Sequence, residues 1–353
     1  MISICIITKN EEDKLQRCLE CVKNLGYEII VTDTGSTDNT VEIAKRFTKN
    51  VYYFKWIDDF SAARNFCASK ASNDFVFALD ADEFVLDFDK NVIETTLKKH
   101  PDYIGAIKRN EISATIGEEE SSRQTAITYA TRIYNKNLFH YVGFVHEQIR
   151  YISGQGNEIY VKFPVTADHV GYMQSLEQKK AKSQRELNLL QKQLQTGEDK
   201  EYTMYQIGKA YAYSGELVKA YGFLKATMDF DIDPKKEWVI DMMITYMIIL
   251  IELKQYDEAL QLQGVYDVFD YCADFVYYMG KIYELTGNLE PAILEYKKAT
   301  TLTDFYEVGR NSFYAYDSLG DVYVKIGDVV NAKKYYKKAL PYQPAREKLE
   351  KLK

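Results

Sequence analysis

The sequence predicts two architectures in series: an α/β unit built on a mostly parallel sheet, then an all-α unit of helical repeats. Three observations carry that expectation. Short β-rich apolar runs alternate with helix-length amphipathic segments in the first part of the chain, the spacing of a helix-covered parallel sheet. Glycine, alanine and tyrosine recur in the last part at the same positions of a helix–turn–helix repeat of about 34 residues. Between them stands Asp80-Ala81-Asp82, which ends the apolar run Phe75–Leu79. A buried strand therefore delivers two carboxylates to its carboxyl end, where open α/β sheets bind ligands. Carboxylates so placed suit a hard divalent cation that also holds a phosphate.

The elements follow in order. Ser3–Ile7 is a β-rich start, and Glu11–Leu25 reads as a helix with Asn10 as its cap. Glu28–Thr32 is a second strand ending at Asp33, and Ser36-Thr37-Asp38-Asn39-Thr40 opens a helix to about Phe47. Val51–Phe54 is a third strand, and Phe60–Ser69 a helix ahead of the strand before Asp80. Beyond about Lys108 the pattern weakens to β-like pieces, Ile127–Tyr134 and Ile159–Phe163, between polar loops. Gln174–Gln195, with leucines at 187, 190 and 194, reads as an amphipathic bridging helix. The expected domains are residues 1–172, a bridge at 173–199, and a helical domain at 200–353.

The repeat is legible position by position. With Gly208, Gly280 and Gly320 aligned, Tyr211, Tyr283 and Tyr323 coincide, as do Gly215, Gly287 and Gly327. Ala220, Ala292 and Ala332 follow, then Leu224, Tyr296 and Tyr336, then Thr227, Ala299 and Ala339. A degenerate copy surrounds Tyr256–Leu260. Small residues let paired helices approach, aromatics fill the gaps, and glycine makes the turn. The pattern resembles tetratricopeptide repeats, which present concave surfaces to peptides or partner subunits. A peptide acceptor or a homodimer contact are the two uses expected of it.

Composition excludes several classes. A net charge of -7 argues against nucleic-acid binding, which needs clustered cations. The most apolar stretch, Met242–Ile251, is too short to span a membrane and reads as a buried helix. Ile2–Ile7 runs into Lys9-Asn10-Glu11-Glu12 and makes no secretory signal, so the expected address is cytoplasmic. Five cysteines give no disulfide framework, and Cys18 and Cys21, one turn apart on a helix, read as core.

Four polar motifs sit at element ends: Ile6-Ile7-Thr8-Lys9-Asn10-Glu11, Asp33-Thr34-Gly35-Ser36-Thr37-Asp38, Phe60-Ser61-Ala62-Ala63-Arg64-Asn65 and Asp80-Ala81-Asp82-Glu83. In this order they resemble the family 2 glycosyltransferases of the GT-A (nucleotide-diphospho-sugar transferase) fold, over roughly residues 1–172. The resemblance implies a UDP-sugar donor. Thr8 and Glu11 would line the base and ribose pocket, and Asp33 would bond the uracil or ribose. Arg64 would face the nucleotide or its phosphates. Asp80 would contact ribose or metal, and Asp82 would ligate Mn2+ or Mg2+. His146-Glu147 and His169-Val170-Gly171-Tyr172 are similar to elements of family members that also carry repeats, the sublancin-type bacteriocin S-glycosyltransferases. By that likeness Glu147 is the general base and His169 a further metal or phosphate contact. His146 has a structural reading beside it, Asp38 reads as a turn or cap, and His100 and His140 lie outside any motif. Thr34 stands where many members have a second acidic residue. The implied activity is inverting, metal-dependent transfer to a peptide or protein side chain, Cys or Ser/Thr. Transfer to a glycan, nucleotidyl transfer and an inactive repeat scaffold are the alternatives. A basic glycine-rich loop after the first strand would mark nucleotidyl transfer, and Thr8-Lys9-Asn10-Glu11 is not one.

Overall fold

The computed structural model describes residues 1–115, 124–174, 176–197 and 199–352. They divide into two compact units, Met1–Thr196 and Gly197–Lys353. The first unit opens with β1 (Ile2–Thr8), α1 (Glu12–Val22), β2 (Glu28–Asp33), α2 (Thr40–Phe47) and β3 (Val51–Tyr53). It continues with α3 (Phe60–Ser69), β4 (Phe75–Asp80), β5 (Glu83–Phe88), α4 (Lys90–Lys99), β6 (Tyr103–Thr115) and β7 (Gln124–Asn135). A small hairpin, β8 (Phe139–Val142) and β9 (Gln148–Tyr151), precedes β10 (Ile159–Gln174) and α5 (Leu176–Thr196).

Eight strands form one sheet in the order β3-β2-β1-β4-β7-β6-β10-β5. The β1–β4 half is parallel, as the alternation of strands and helices predicts. The other half departs from a mostly parallel sheet: β7 runs antiparallel to β4 and β6, and β5 antiparallel to β10. Ile159–Phe163 proves to be only the start of β10, while β5 and β6 carry charged residues that hide them from a search for apolar runs. Alternate residues of β1 serve opposite faces. Ile2, Ile4 and Ile6 pack with Leu15, Cys18 and Leu19 of α1, and Cys5 packs with Cys67 and Ala68 of α3. Helices on both faces explain the continuous apolar runs, and Cys18 is core. Of the segment expected to be a helix, Gln174 ends β10 and α5 begins at Leu176; α5 groups with the first unit.

In the second unit α6 (Lys200–Tyr213) pairs with α7 (Leu217–Thr227), and α8 (Glu237–Glu252) with α9 (Tyr256–Gln261). After α10 (Tyr266–Phe269) come the pairs α11 (Ala273–Leu285) with α12 (Leu289–Ala299) and α13 (Phe313–Lys325) with α14 (Val329–Lys338), then α15 (Gln343–Lys351). A Cβ at Gly280 would lie 2.9 Å from the Tyr296 ring, and one at Gly320 2.3 Å from the Tyr336 ring. The repeat glycines are therefore helix-contact points. The buried tyrosines carry their hydroxyls to carboxylates: Tyr296 donates to Glu284 and Tyr336 to Asp321, each at 2.7 Å. Met242–Ile251 lies in α8, and no helix among the described residues is long and apolar enough to cross a membrane.

The turns explain the degenerate repeat. Gly215, Gly287 and Gly327 sit at φ +81°, +80° and +80°. The α8–α9 turn places Lys254 at φ +57°, a left-handed conformation that costs an L side chain about 1–2 kcal/mol. Lys254→Gly is expected to raise stability by about 1 kcal/mol, and Gly327→Ala to lower it by a similar amount. Urea unfolding followed by circular dichroism checks both; equal midpoints would show that the turns carry no strain.

Candidate active site

The register brings the motif ends together. Thr8 pairs with Asp33 and Ile7 with Asp80, so β1, β2 and β4 finish along one edge. The buried Thr8 carbonyl accepts the Thr34 N–H at 2.9 Å, while its own hydroxyl has no partner among the described residues. Asp33 is tied up locally: its carboxylate accepts the Gly35 N–H at 3.0 Å and the Ser36 N–H at 3.1 Å. It closes the turn that leads to α2, the role its position at a strand end makes easiest. Asp38 accepts the Thr40 N–H at 3.0 Å, a turn role as expected. Glu11 donates its N–H to Thr40 and pairs with Lys14 at 2.7 Å; burial pushes its carboxyl pKa up. Asn10 does not cap α1. It adopts φ +54° and accepts the Thr37 N–H at 2.8 Å, tying the first motif to the second.

Asp80 is a hub. Arg64 Nη2 reaches its Oδ1 at 2.7 Å and Arg132 Nη2 reaches its Oδ2. Arg64 also binds Glu147 Oε1 through Nε. Arg132 continues to Glu83 Oε1 at 2.7 Å, and Arg109 joins the same oxygen at 3.0 Å. Arg109 reaches Glu111 Oε1 at 2.7 Å, Glu111 Oε2 meets His169 Nδ1, and His169 Nε2 stands 3.5 Å from Asp82. One chain of alternating charge thus links Glu147, Arg64, Asp80, Arg132, Glu83, Arg109, Glu111, His169 and Asp82. Burial raises the carboxyl pKa of Asp80, but Arg132 and Arg64 outweigh it and hold the group far below the usual range. Burial opposes and Arg64 enforces the lowered pKa of Glu147. For His169 burial favours the neutral ring, yet Asp82 and Glu111 push its pKa up to about 9.

Local folding explains the placement. Asp59 accepts the Ala62 N–H at 2.9 Å, which starts α3 and sets Arg64 one turn in. Gly105 pairs with Ile133 but Ala106 with Thr131, so Arg132 is the extra residue of a β-bulge. Bulges re-aim side chains beside sites. His169 pairs with Glu111 on one side and Glu83 on the other. In the first unit, the described non-glycine residues at positive φ are Asn10, Asp58 and His146, each within or beside a motif. His146 Nε2 contacts Glu186 of α5 at 2.6 Å, a structural role. His100 stacks on Tyr103.

Arg64, expected to face the nucleotide, bridges two carboxylates. Asp80, expected to contact ribose or metal, has both oxygens held by arginine. Sequence reasoning missed Arg132, Arg109 and Glu111, and gave Glu83 no role beyond closing the acidic motif. Of the first three, Arg132 alone left a trace, as a lone charge inside Ile127–Tyr134 that demands a buried partner.

Asp82 and His169 fit a divalent cation. Glu111 holds Nδ1 and so turns Nε2 toward Asp82, the outer-shell support typical of a metal-bound imidazole. Charge agrees: the chain has five carboxylates against three guanidiniums and His169, and a divalent cation replacing the His169 proton would bring the balance to zero. Among the described residues no three His, Cys, Asp or Glu converge as a metal cage. Mg2+-type sites that hold a diphosphate need only one or two protein ligands.

Residues 3–154 match the family model Glycosyl transferase family 2, and residues 273–305 and 313–346 match the Tetratricopeptide repeat model. The glycosyltransferase SunS, derived from prophage SPbeta in Bacillus subtilis, is 27% identical over 80% of this chain and 66% of its own length. An uncharacterized glycosyltransferase of Rickettsia typhi is 34% identical over 39% of this chain and 47% of that protein. A TPR repeat-containing protein of Synechococcus elongatus is 45% identical over 23% of this chain and 20% of its own length. The chain thus spans between a fifth and two-thirds of the length of these relatives.

Removing one buried ion leaves its partners uncompensated, at about 3–5 kcal/mol. Arg132→Leu, which leaves Asp80 to Arg64 alone and Glu83 to Arg109 alone, is expected to lower stability by up to about that much in urea. A loss under about 1 kcal/mol would show that the chain of charges tolerates breaking.

Proposed function

We propose that the chain, whose first unit carries a family 2 glycosyltransferase domain, moves a sugar from a UDP-sugar to a peptide or protein side chain with inversion. The observation that supports this reading best is the charged chain, which joins Asp80, Asp82, Glu147 and His169 from three separate segments. An inactive scaffold has no use for so many buried charges, each of which costs several kcal/mol unless paired.

The residues divide the work. Asp82 and His169 would hold Mn2+ or Mg2+, which supplies positive charge for the departing nucleotide diphosphate. Thr8 and Glu11 lie on the strand edge where base and ribose would sit. Asp33 shapes that edge through its turn. Glu147 is ionised at neutral pH because Arg64 holds its pKa down, and with Arg64 on Oε1 the proton falls to Oε2. The acceptor hydroxyl or thiol gives its proton to Glu147 as its heteroatom bonds the anomeric carbon. The bond from that carbon to the diphosphate oxygen breaks, and its electron pair leaves with UDP. One displacement inverts the centre. The repeats would hold the acceptor polypeptide or a second copy of the chain.

Nucleotide release from UDP-glucose, UDP-galactose, UDP-N-acetylglucosamine and GDP-mannose, with and without Mn2+, tests the reading. UDP release from one donor is expected only with metal, and EDTA should abolish it. Asp82→Asn should weaken Mn2+-dependent UDP binding at least tenfold. Glu147→Gln should keep that binding while turnover falls ~10²–10⁴-fold. Full turnover by Glu147→Gln would remove Glu147 as base. No release, with no UDP or GDP binding, would return the scaffold reading.

A further inference from the structure

We propose that α5 is a positioning element for the base, with Glu186 and Gln193 holding the segment Gly143–Gln148 that carries Glu147. The inference rests on the reading of Glu147 as general base. As a sequence, α5 reads only as a bridge, yet in the structure it grips that segment at two points.

The first point is Gln193, only 7% exposed, whose Oε1 accepts the Phe144 N–H at 2.9 Å. The same oxygen lies 3.1 Å from where a Cβ on Gly143 would stand, and Gly143 is at φ +100°. Glycine there lets the amide come close. Lys192 adds its ammonium 4.2 Å from the Phe144 ring centre. The second point is Glu186, whose carboxylate meets His146 Nε2 at 2.6 Å. Glu186 and Gln193 are two helical turns apart and so share a face. Between the two grips the Phe144 carbonyl accepts the N–H of Phe60, the first residue of the helix that bears Arg64.

Strain gives these contacts their purpose. His146, next to Glu147, is held at φ +51°. A left-handed non-glycine residue costs about 1–3 kcal/mol and persists only where its surroundings over-determine it. Glu186 and Gln193 supply that constraint from one side, and Arg64 from the other. Without α5 the segment relaxes and the Glu147 carboxylate leaves its place on Arg64. A shift of about 1 Å at a reacting group costs on the order of a hundredfold in rate. Glu186 and Gln193 touch no reacting atom, so they are positioning residues.

The test uses the full chain with Glu186→Ala, Gln193→Leu and the conservative Glu186→Gln, which keeps an acceptor for His146. Hydrogen exchange of residues 143–148, read without any ligand, reports the grip. UDP release with Mn2+ from the fastest donor among the four sugar nucleotides gives kcat and KM, and calorimetry gives Mn2+–UDP affinity. Glu186→Ala and Gln193→Leu are expected to speed exchange of the segment at least tenfold while β1 and β4 stay protected. In both, kcat falls about ten- to a hundredfold, with KM and UDP affinity within about twofold of wild type. Glu186→Gln stays near wild type in every readout. Unchanged exchange in both disruptive variants overturns the proposal, as does faster exchange with unchanged kcat. Protected β1 and β4 amides separate loss of the grip from loss of the fold. Glu147→Gln separates the two readings: if it turns over normally, the base assignment falls and the positioning role with it. If it is inactive while the α5 variants are not, only the inference about α5 falls.

Discussion

A buried carboxylate must be matched or it cannot stay charged. Asp80, Glu83 and Glu147 are matched by arginines that come from other elements, Glu111 by Arg109 of its own strand and His169 of β10, and this requirement organises the first unit. Arg64 ties α3 to the end of β4 and to the segment after β8. Arg132 ties β7 to β4 and β5. Arg109 and His169 carry the pattern across β6 and β10. Each ion is stable only in the presence of the next, so the site and the mixed half of the sheet specify one another.

This mutual dependence also explains what the sequence could and could not reveal. The parallel half was legible because apolar runs and turn residues are local signals. The repeats were legible because a fixed offset within each helix pair puts Gly320 under Tyr336 in one and Gly280 under Tyr296 in another. The motifs that resemble a family pointed to Asp82, Glu147 and His169 without any geometry. Arg132 was hidden because its role depends on a ladder irregularity that no composition encodes. The resemblance put Arg64 on the nucleotide, and its pairing with Asp80 and Glu147 depends on neighbours from other segments that no single motif encodes.

The two units use strain differently. In the second, a positive φ makes a helix turn, and glycine removes the cost at three of the four turns discussed. In the first, Asn10, Asp58 and His146 keep the cost beside the motifs. Local stability has there been exchanged for placement of a few side chains.

The bulge at Arg132 makes the residue count of β7 matter as much as its composition. Loss of any one residue between Gln124 and Thr131 would let Arg132 pair with Ala106 in a regular ladder. Its side chain would then follow the alternation of the sheet, and Asp80 and Glu83 would lose a common partner. Substitutions along this strand can be conservative or radical, but the number of residues paired from Gln124 to Thr131 should stay fixed. For related chains, a gap placed in this strand by an alignment would mark either a misplaced gap or a different wiring of the charged centre.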